Sequence, residues 1–110
     1  MDESRIDIDL FKKLDMRVGK IVSAESLEKS KKLIKLSVSF GSETRTILSG
    51  IRSDYSPEEL VGKKVIVAYN LKPARIIGVE SNGMVLAASD GERISLLSVD
   101  RDVPEGSRVS

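Results

Sequence analysis

Apolar and polar residues alternate with a period of two along residues 33–40. Between Ile34 and Phe40 every even-numbered residue is apolar and every odd-numbered residue is Lys or Ser. This period is that of a half-buried β-strand, with one face in the core and the other in water. Gly41-Ser42-Glu43 follows as the turn of a hairpin, and we expect residues 44–48 to return as its second strand.

A further strand is predicted ahead of this hairpin, over residues 16–24, which are rich in β-branched side chains. Gly19 lies inside this stretch and suggests a bulge or a sharp bend. Before the strand, Asp9 is placed to cap a short helical turn over residues 10–14, with Phe11 and Leu14 on one face.

Residues 56–62 predict a complete short helix with its start and stop signals. Ser56 suits the N-cap, Pro57 the first helical position, Glu59 a capping box, and Gly62 the left-handed position after the last turn. Residues 63–71 return to a β pattern. Two more strands are predicted over residues 83–88 and 94–99, and turns at Asp90-Gly91 and at residues 104–106 lead to a last extended stretch at 108–109.

The order of these elements predicts the fold class. One strand, a hairpin, a short helix and two further strands are arranged as in a five-stranded OB-fold Greek-key barrel, whose helix lies between strands 3 and 4. We therefore expect an all-β domain over residues 10–110 with a C-terminal β extension, preceded by an acidic leader over residues 1–9. An SH3-like barrel or a small β-sandwich is the alternative.

Composition excludes several kinds of site. The chain has no Cys and no His, so disulfides, catalysis by a Ser-His-Asp or Cys-His arrangement and the usual zinc sites are ruled out. Four carboxylates near the C-terminus, at Asp90, Glu92, Asp100 and Asp102, occupy ordinary turn positions. We expect no catalytic site, no metal and no cofactor. The absence of Cys and of any long apolar run suggests a cytoplasmic protein without a membrane partner.

Charge is unevenly distributed although the net charge is only +1. Residues 1–9 hold four carboxylates against one cation, a sum of −3, which leaves 17 cations against 13 carboxylates in residues 10–110. A body with a charge of +4 suits a moderate, salt-sensitive interaction with nucleic acid. Aromatic residues make up only 4% of the chain, so contacts to RNA shape, sugar and phosphate are expected rather than base stacking.

The expected binding face of an OB barrel crosses strands 2 and 3. Here that face carries Lys35 and Arg45, and Arg17 on the first strand is placed to join them. Polar residues also face outward simply because a surface is wet, and for Ser37 and Ser39 this is the better interpretation.

A loop that follows the fourth strand adds further candidates. Lys72 and Arg75 offer donors for phosphate, and Pro73 stiffens the loop between them. Ser81 offers a hydroxyl to sugar or base edges, and Met84 offers a soft apolar surface. Residue chemistry alone favours a simpler interpretation, a strand connection with solvated cations and a core methionine.

Several motifs in order carry a resemblance that reverses this preference. They are residues 11–21, Ile47-Leu48-Ser49-Gly50-Ile51, residues 55–65, Asn70-Leu71-Lys72-Pro73 and Ser81-Asn82-Gly83-Met84. Together they resemble the stand-alone tRNA-binding OB-fold family, which includes the C-terminal appendix of methionyl-tRNA synthetases and its free-standing relatives. The resemblance extends roughly from residue 11 to residue 109. It departs at residues 27–33, where only Lys32-Leu33 remains of the family's His-Pro-x-Ala-Asp-Lys-Leu.

The resemblance implies a non-catalytic protein that binds tRNA, alone or with a synthetase, the methionyl enzyme first. The implied phosphate contacts are Arg17, Arg45, Lys72 and Arg75, with Lys35 on the same face, and the implied sugar or base contacts are Asn70, Ser81 and Met84. A sister family of homodimeric, secretion-related chaperones has the same fold but lacks the Ser-x-Gly-Met turn. Binding of unfolded or pre-export polypeptides therefore stays as the alternative, followed by an OB-type protein-interaction module.

A homodimer is also implied by the resemblance. The chain gives an independent reason, because residues 94–99 carry four apolar side chains beyond the expected five-stranded core. Such residues need a surface to pack against. They either pair across a two-fold axis or fold back on their own barrel as a strand or lid.

Overall fold

A computed structural model describes residues 3–110; the first two residues of the predicted leader lie outside the described residues. Two short helices and ten strands follow one another in this range. They are α1 (Ile8–Phe11), β1 (Met16–Ser26), β2 (Ile34–Ser39), β3 (Thr44–Ser49), α2 (Pro57–Leu60), β4 (Lys64–Ala68), β5 (Ala74–Ile76), β6 (Val79–Ser81), β7 (Met84–Val85), β8 (Ala87–Ser89), β9 (Ile94–Leu96) and β10 (Arg108–Val109).

The main sheet has the strand order β3-β2-β1-β4-β7, with β10 added to the start of β1, and every pair in it is antiparallel. The Asn82 N–H donates to the carbonyl of Thr46 at 2.8 Å and so joins the chain ahead of β7 to β3, which closes the sheet on itself. With α2 between β3 and β4, this is a five-stranded OB barrel. The fold-class prediction is confirmed, including the C-terminal β extension formed by β8, β9 and β10.

The alternation along β2 is reproduced in the structure. Ile34, Leu36 and Val38 are fully buried, whereas the Lys and Ser residues between them are half-buried. In β4, by contrast, all four residues from Val65 to Ala68 are buried. All four are apolar, so this strand is buried on both faces. The fully buried side chains of these strands form one core with Ile21, Ile47 and Leu60.

Gly19 has a different role from the one its position suggests. It pairs regularly with Val65 of β4, and the irregularity of β1 lies instead between Ile21 and Ser23. A Cβ atom on Gly19 would lie 2.4 Å from Cγ1 of Val38 and 3.0 Å from the ring of Phe40. The glycine is therefore needed for close packing beneath β1, and the prediction of a bulge at this residue is wrong.

The second predicted helix is found where the sequence indicates, whereas the first begins at a different residue. Around α2 the Ser56 N–H donates to Oε2 of Glu59 at 2.9 Å, and Gly62 has φ +93°, as the sequence indicates. The first helix begins two residues earlier than predicted. Asp7 rather than Asp9 precedes it, and the Asp7 backbone carbonyl accepts from the following turn while its side chain makes no capping bond.

The predicted strand over residues 83–88 is divided into β7 and β8. The division occurs at Leu86, because its N–H donates to the carbonyl of Ile66 in β4 while its own carbonyl accepts from Leu97. The chain thus changes partners at one residue. It leaves the barrel sheet and forms a separate hairpin with β9.

This hairpin packs on its own barrel. The N–H groups of Ile94 and Leu96 donate to the Asp54 carboxylate at 3.0 Å and to the Tyr55 hydroxyl at 2.9 Å. Ile94 and Leu96 are partly buried against the core, but Leu97 remains 38% exposed. The lid interpretation therefore holds for part of the apolar run.

No helix within residues 3–110 has the length and apolar character that a membrane crossing needs.

The close packing at Gly19 gives a stability prediction. Gly19→Ala adds a methyl group that must displace Val38 or Phe40, and overpacking of this kind costs about 1–3 kcal/mol. We expect the free energy of unfolding from urea titration to fall by this amount. Gly50→Ala is the matched control, because nothing lies within 4 Å of the corresponding Cβ position. Equal stability of the two variants would contradict the packing role of Gly19.

Candidate nucleic-acid interface

A groove lies between the face of β2 and β3 and a hairpin formed by β5 and β6. This hairpin, residues 74–81, is called the arm below. Its three strand pairs leave a two-residue turn, Ile77-Gly78, in which both residues have positive φ, +51° and +75°. This geometry is that of a type I′ turn, which matches the twist of paired strands but strains a β-branched residue such as Ile77.

The groove has a volume of about 500 Å³, and ionisable side chains line much of it. Three are cations, Lys35 on β2, Arg45 on β3 and Arg75 on β5, and two are carboxylates, Glu43 and Glu80. The structure thus brings together two of the four predicted phosphate contacts, Arg45 and Arg75, with Lys35, which is also predicted to bind tRNA. The remaining lining consists of Thr44, Thr46, Gly78, Val79 and Asn82.

Arg45 is the most enclosed of these cations, with 15% of its side chain exposed. One terminal nitrogen donates to the carbonyl of Tyr69 at 2.7 Å, and the other lies 3.1 Å from Oε2 of Glu43. Its Nε is buried and has no hydrogen-bond partner among residues 3–110. The guanidinium is therefore fixed in position while part of its donor capacity is unused.

Tyr69 lies between two guanidinium groups. Cζ of Arg45 is 3.6 Å from the centroid of its ring, and Cζ of Arg17 is 4.3 Å away. Two guanidinium groups cannot share one ring face at these distances, so the ring separates them. Phe40 meets the Tyr69 ring edge-on at a centroid distance of 4.9 Å. With its faces covered, Tyr69 is closed to base stacking.

Arg17 is held by Asp15. Its Nε and a terminal nitrogen donate to the two carboxylate oxygens at 3.0 and 2.9 Å, a bidentate pair. The hydrogen bond with Arg17 lowers the pKa of Asp15 below its ordinary value of 3.8, and the charges of Arg17, Arg108 and Arg45 act in the same direction. Arg17 is thus committed to an internal ion pair and to Tyr69.

The remaining predicted cations are more accessible. Lys35 lies 3.6 Å from Glu25, with both side chains substantially exposed. Arg75 uses one terminal nitrogen to hold the carbonyl of Gly78 across the arm's turn, at 2.9 Å. Lys72 is exposed and has no hydrogen bond or ion pair within the part of the chain that the structure describes. Long cations with weak partners are available to phosphates.

Two residues predicted to touch sugar or base are occupied within the fold. Ser81 is 6% exposed; its hydroxyl accepts from the N–H of Leu48 at 2.9 Å and donates to the carbonyl of Gly83 at 3.3 Å. Asn70 accepts from the N–H of Asp15 at 2.8 Å and donates to the carbonyl of Lys13 at 2.7 Å. Ser81 therefore fixes the arm to β3, and Asn70 fixes the arm's leading loop to the segment before β1.

Met84 is placed apart from the cation groove. It is 49% exposed and lines a separate apolar groove of about 410 Å³, together with Ile51, Leu86 and Ile94. The structure therefore places the predicted site residues in the cation groove with its Tyr69 cluster, in internal ties and in this apolar groove, while Lys72 is exposed in the loop ahead of the arm. Met84 is exposed, so the interpretation of it as a core methionine is wrong.

A family comparison decides the relationship of this chain. Residues 16–108 match the model of the family described as "Putative tRNA binding domain". The chain belongs to this tRNA-binding domain family. The matched range contains the barrel, the arm and every residue that lines the cation groove.

Individual relatives agree with this membership. The chain is 58% identical over 106 residues to a methionine–tRNA ligase of Methanocaldococcus jannaschii. The matched region covers 96% of this chain but only 16% of that enzyme. The crystal structure of a MetRS-related protein from Pyrococcus horikoshii superposes with a TM-score of 0.91 at 46% identity, and all of both chains is covered. The chaperone CsaA from Bacillus anthracis also reaches 0.91, at 27% identity, covering 97% of this chain and 100% of its own.

Three residues of this tRNA-binding domain matter more than their sequence pattern shows. Tyr69 and Glu43 organise Arg45, and the guanidinium of Arg52 donates to the carbonyls of Leu27 and Ser30 in the divergent loop. A Tyr at the end of a strand and a Glu in a turn carry no local signal for such roles. Only the closure of the barrel brings Tyr69 next to Arg45.

Among the four C-terminal carboxylates, Asp90 behaves as the turn interpretation predicts. Asp90 accepts from the N–H groups of Glu92 and Arg93 at 2.9 and 2.8 Å, and these bonds lower its pKa. Asp102 is paired with Lys64 at 2.5 Å. Within residues 3–110, no group of three or more carboxylates is placed to hold a metal ion.

The internal tie at Ser81 gives a second prediction. Ser81→Ala leaves the buried N–H of Leu48 without its acceptor, at a cost of about 1–3 kcal/mol in the free energy of unfolding. We expect chemical denaturation to show this loss, with Ser95→Ala as the control, because Ser95 is exposed on β9. A variant of full stability that binds tRNA less well would instead support the direct contact that the sequence suggests for Ser81.

Proposed function

We propose that this chain is a non-catalytic tRNA-binding module. It adds affinity directed at the shape and backbone of tRNA and leaves amino-acid specificity to a partner enzyme. Acting in the cytoplasm alone or beside a methionyl-tRNA synthetase, it would recruit tRNA without taking part in the chemistry.

The cation groove is the observation that carries this proposal. Lys35, Arg45 and Arg75 converge on it from three strands, and Lys72 stands free ahead of the arm. Several cations around one groove suit contacts to the phosphates of an RNA backbone, since phosphate contacts supply most sequence-independent affinity. The covered ring of Tyr69 argues against base stacking here, in keeping with recognition of shape.

The methionyl enzyme is the proposed partner because several relatives that match this chain at about half identity or better are named methionine–tRNA ligase. The chain spans 16% of the length of the Methanocaldococcus jannaschii enzyme. A synthetase with this module attached and a separate module that joins it are both consistent with that proportion. Co-sedimentation with a methionyl-tRNA synthetase, with and without tRNA, tests the association.

A chaperone function is the second candidate. It is favoured by the superposition on two CsaA chaperones, at TM-scores of 0.91 and 0.88. Exposed apolar side chains that an unfolded polypeptide could contact are also present, among them Met84 and Ile77. Parallel gel-shift titrations against bulk tRNA and an unfolded client polypeptide separate the two functions. Saturable binding of the client with none of tRNA would reverse our assignment.

The phosphate contacts predict a salt dependence. Arg75→Ala should weaken binding of every tRNA to a similar extent and reduce the slope of log affinity against log salt by about 1, because one phosphate contact is lost. Titrations of bulk tRNA at several salt concentrations measure this slope. The melting temperature should barely change, since exposed substitutions alter stability by no more than about 0.5 kcal/mol.

Arg93→Ala is the matched control for Arg75. Arg93 is an exposed arginine in the turn between β8 and β9 and does not line the cation groove. Its removal changes net charge equally and should leave the slope unaltered. If both variants change the slope alike, Arg75 acts only through overall charge and is not a phosphate ligand.

We also propose that the protein acts as a homodimer. Leu97 remains exposed just after β9, and large apolar side chains are also exposed at Ile8 and Leu10 of α1 and at Ile6, two residues before that helix. Large apolar side chains grouped on a short helix suit an interface. A two-fold dimer would join two basic grooves, so one L-shaped tRNA could contact both and gain affinity without new contact chemistry.

If the protein acts as a dimer, a substitution that prevents assembly should also weaken tRNA binding. We expect a mass near twice 12.0 kDa by light scattering, and we expect Leu97→Asp to halve it and weaken tRNA binding. Ser95→Asp, which places the same charge on the exposed side of β9, is the control. A wild-type monomer at micromolar concentration with full tRNA affinity would rule out this arrangement.

A further inference from the structure

The carboxylate of Glu43 occupies the donors that a phosphate at this point of the groove would need. The Tyr69 hydroxyl donates to its Oε2, and a terminal nitrogen of Arg45 lies 3.1 Å from the same oxygen. A hydroxyl and a guanidinium that converge on one anionic oxygen form a binding set which suits carboxylate and phosphate equally.

Other contacts hold this donor set in place whether or not Glu43 is present. Arg45 is fixed by the carbonyl of Tyr69 and by the Tyr69 ring, and that ring is fixed by Arg17 and Phe40. The Glu43 side chain, by contrast, is 42% exposed on the turn between β2 and β3. It can therefore turn out into water while the donors remain in place.

Charge favours such an exchange. The cluster around Tyr69 holds three guanidinium groups, of Arg17, Arg45 and Arg108, against two carboxylates, of Asp15 and Glu43. Asp15 is bound bidentately by Arg17 and is not replaceable in the same way. When Glu43 leaves, the cluster gains an uncompensated positive charge that faces the groove.

We propose that Glu43 is an internal competitor for a phosphate subsite formed by Arg45 and Tyr69. A phosphodiester of bound RNA displaces the Glu43 carboxylate and takes over its two hydrogen bonds. The inference rests on the proposed tRNA binding and adds to it one assigned subsite and a reason for moderate affinity. A ligand must supply enough other contacts to offset the loss of the Glu43 interactions, so short or poorly fitting anions are rejected.

Bulk tRNA titration of charge-neutral variants tests the competition. Glu43→Gln should raise the affinity about tenfold at fixed salt, which corresponds to one charge-assisted hydrogen bond no longer contested. Glu80→Gln is the matched control, because Glu80 lines the same groove but holds none of the Arg45 or Tyr69 donors. It should raise the affinity only about twofold, the effect of an exposed charge.

A double-mutant cycle with Tyr69→Phe identifies the donor. If the phosphate takes over the Tyr69 hydroxyl, most of the gain from Glu43→Gln disappears in the Tyr69→Phe background. Equal gains for Glu43→Gln and Glu80→Gln would overturn the inference. So would a gain that is unchanged by Tyr69→Phe, or a loss of affinity and melting temperature in Glu43→Gln, which would show a purely structural role.

Inorganic phosphate separates this inference from the proposed function. Its binding is followed by the NMR resonance of the Arg45 Nε–H group, which has no partner among residues 3–110. A shift in Glu43→Gln at phosphate concentrations that leave the wild-type resonance unmoved supports the subsite, even if wild-type protein fails to bind tRNA. No shift in either protein overturns it, even if tRNA binds.

Discussion

The eleven residues of β1 must satisfy three neighbouring strands at once, and the rest of the barrel depends on how they do so. The strand pairs with β4 and β10 along its first half and with β2 along its second. Its pairing with β2 shifts register between Ile21 and Ser23, and Gly19 lets Val38 and Phe40 approach the strand closely. Antiparallel ladders on both sides then fix the direction of every following strand.

The same barrel closure that completes the core also builds the groove. The Ser81 hydroxyl and the Asn82 N–H bond the backbone of β3, so the base of the arm is tied to the strand that carries Arg45. The groove is therefore an outcome of barrel geometry rather than of a flexible loop. Arg45 is preorganised by the Glu43 carboxylate and by the carbonyl and ring of Tyr69 before any ligand arrives, which reduces the entropy lost on binding.

The sequence predicted the strands of the barrel because their periodicity reflects burial directly. Ile34 to Phe40 alternate because one face meets the core, and the capping residues Ser56 and Gly62 act within a single turn of chain. It failed where a residue's role depends on contacts distant along the chain. Gly19 is explained by Val38 and Phe40, and the division at Leu86 by Leu97.

The same distinction, between local properties and contacts distant along the chain, applies to the residues of the candidate site. Accessible cations such as Lys72 and Arg75 can be identified from type and neighbourhood, because exposure leaves their chemistry unaltered. Ser81 and Asn70 could not be judged in this way, since the polar group of each bonds a partner that only the fold supplies. Arg17 is instead bound by Asp15, two residues before it. No local sequence pattern predicts the cluster of Arg45 with Tyr69 and Glu43, because Tyr69 is distant along the chain from the other two residues.

The turn of the arm gives the groove two walls of different stiffness. Ile77 has φ +51°, a conformation that costs a β-branched side chain about 1–3 kcal/mol, and β5 is exposed along its whole length. The hydroxyl of Ser81 fixes the base of the arm to β3 of the barrel. Strained, solvated hairpins of this kind open on their own, at a small fraction of the global free energy of unfolding. A ligand therefore meets the strands of the barrel sheet on one side and, on the other, an exposed hairpin that is held at its base.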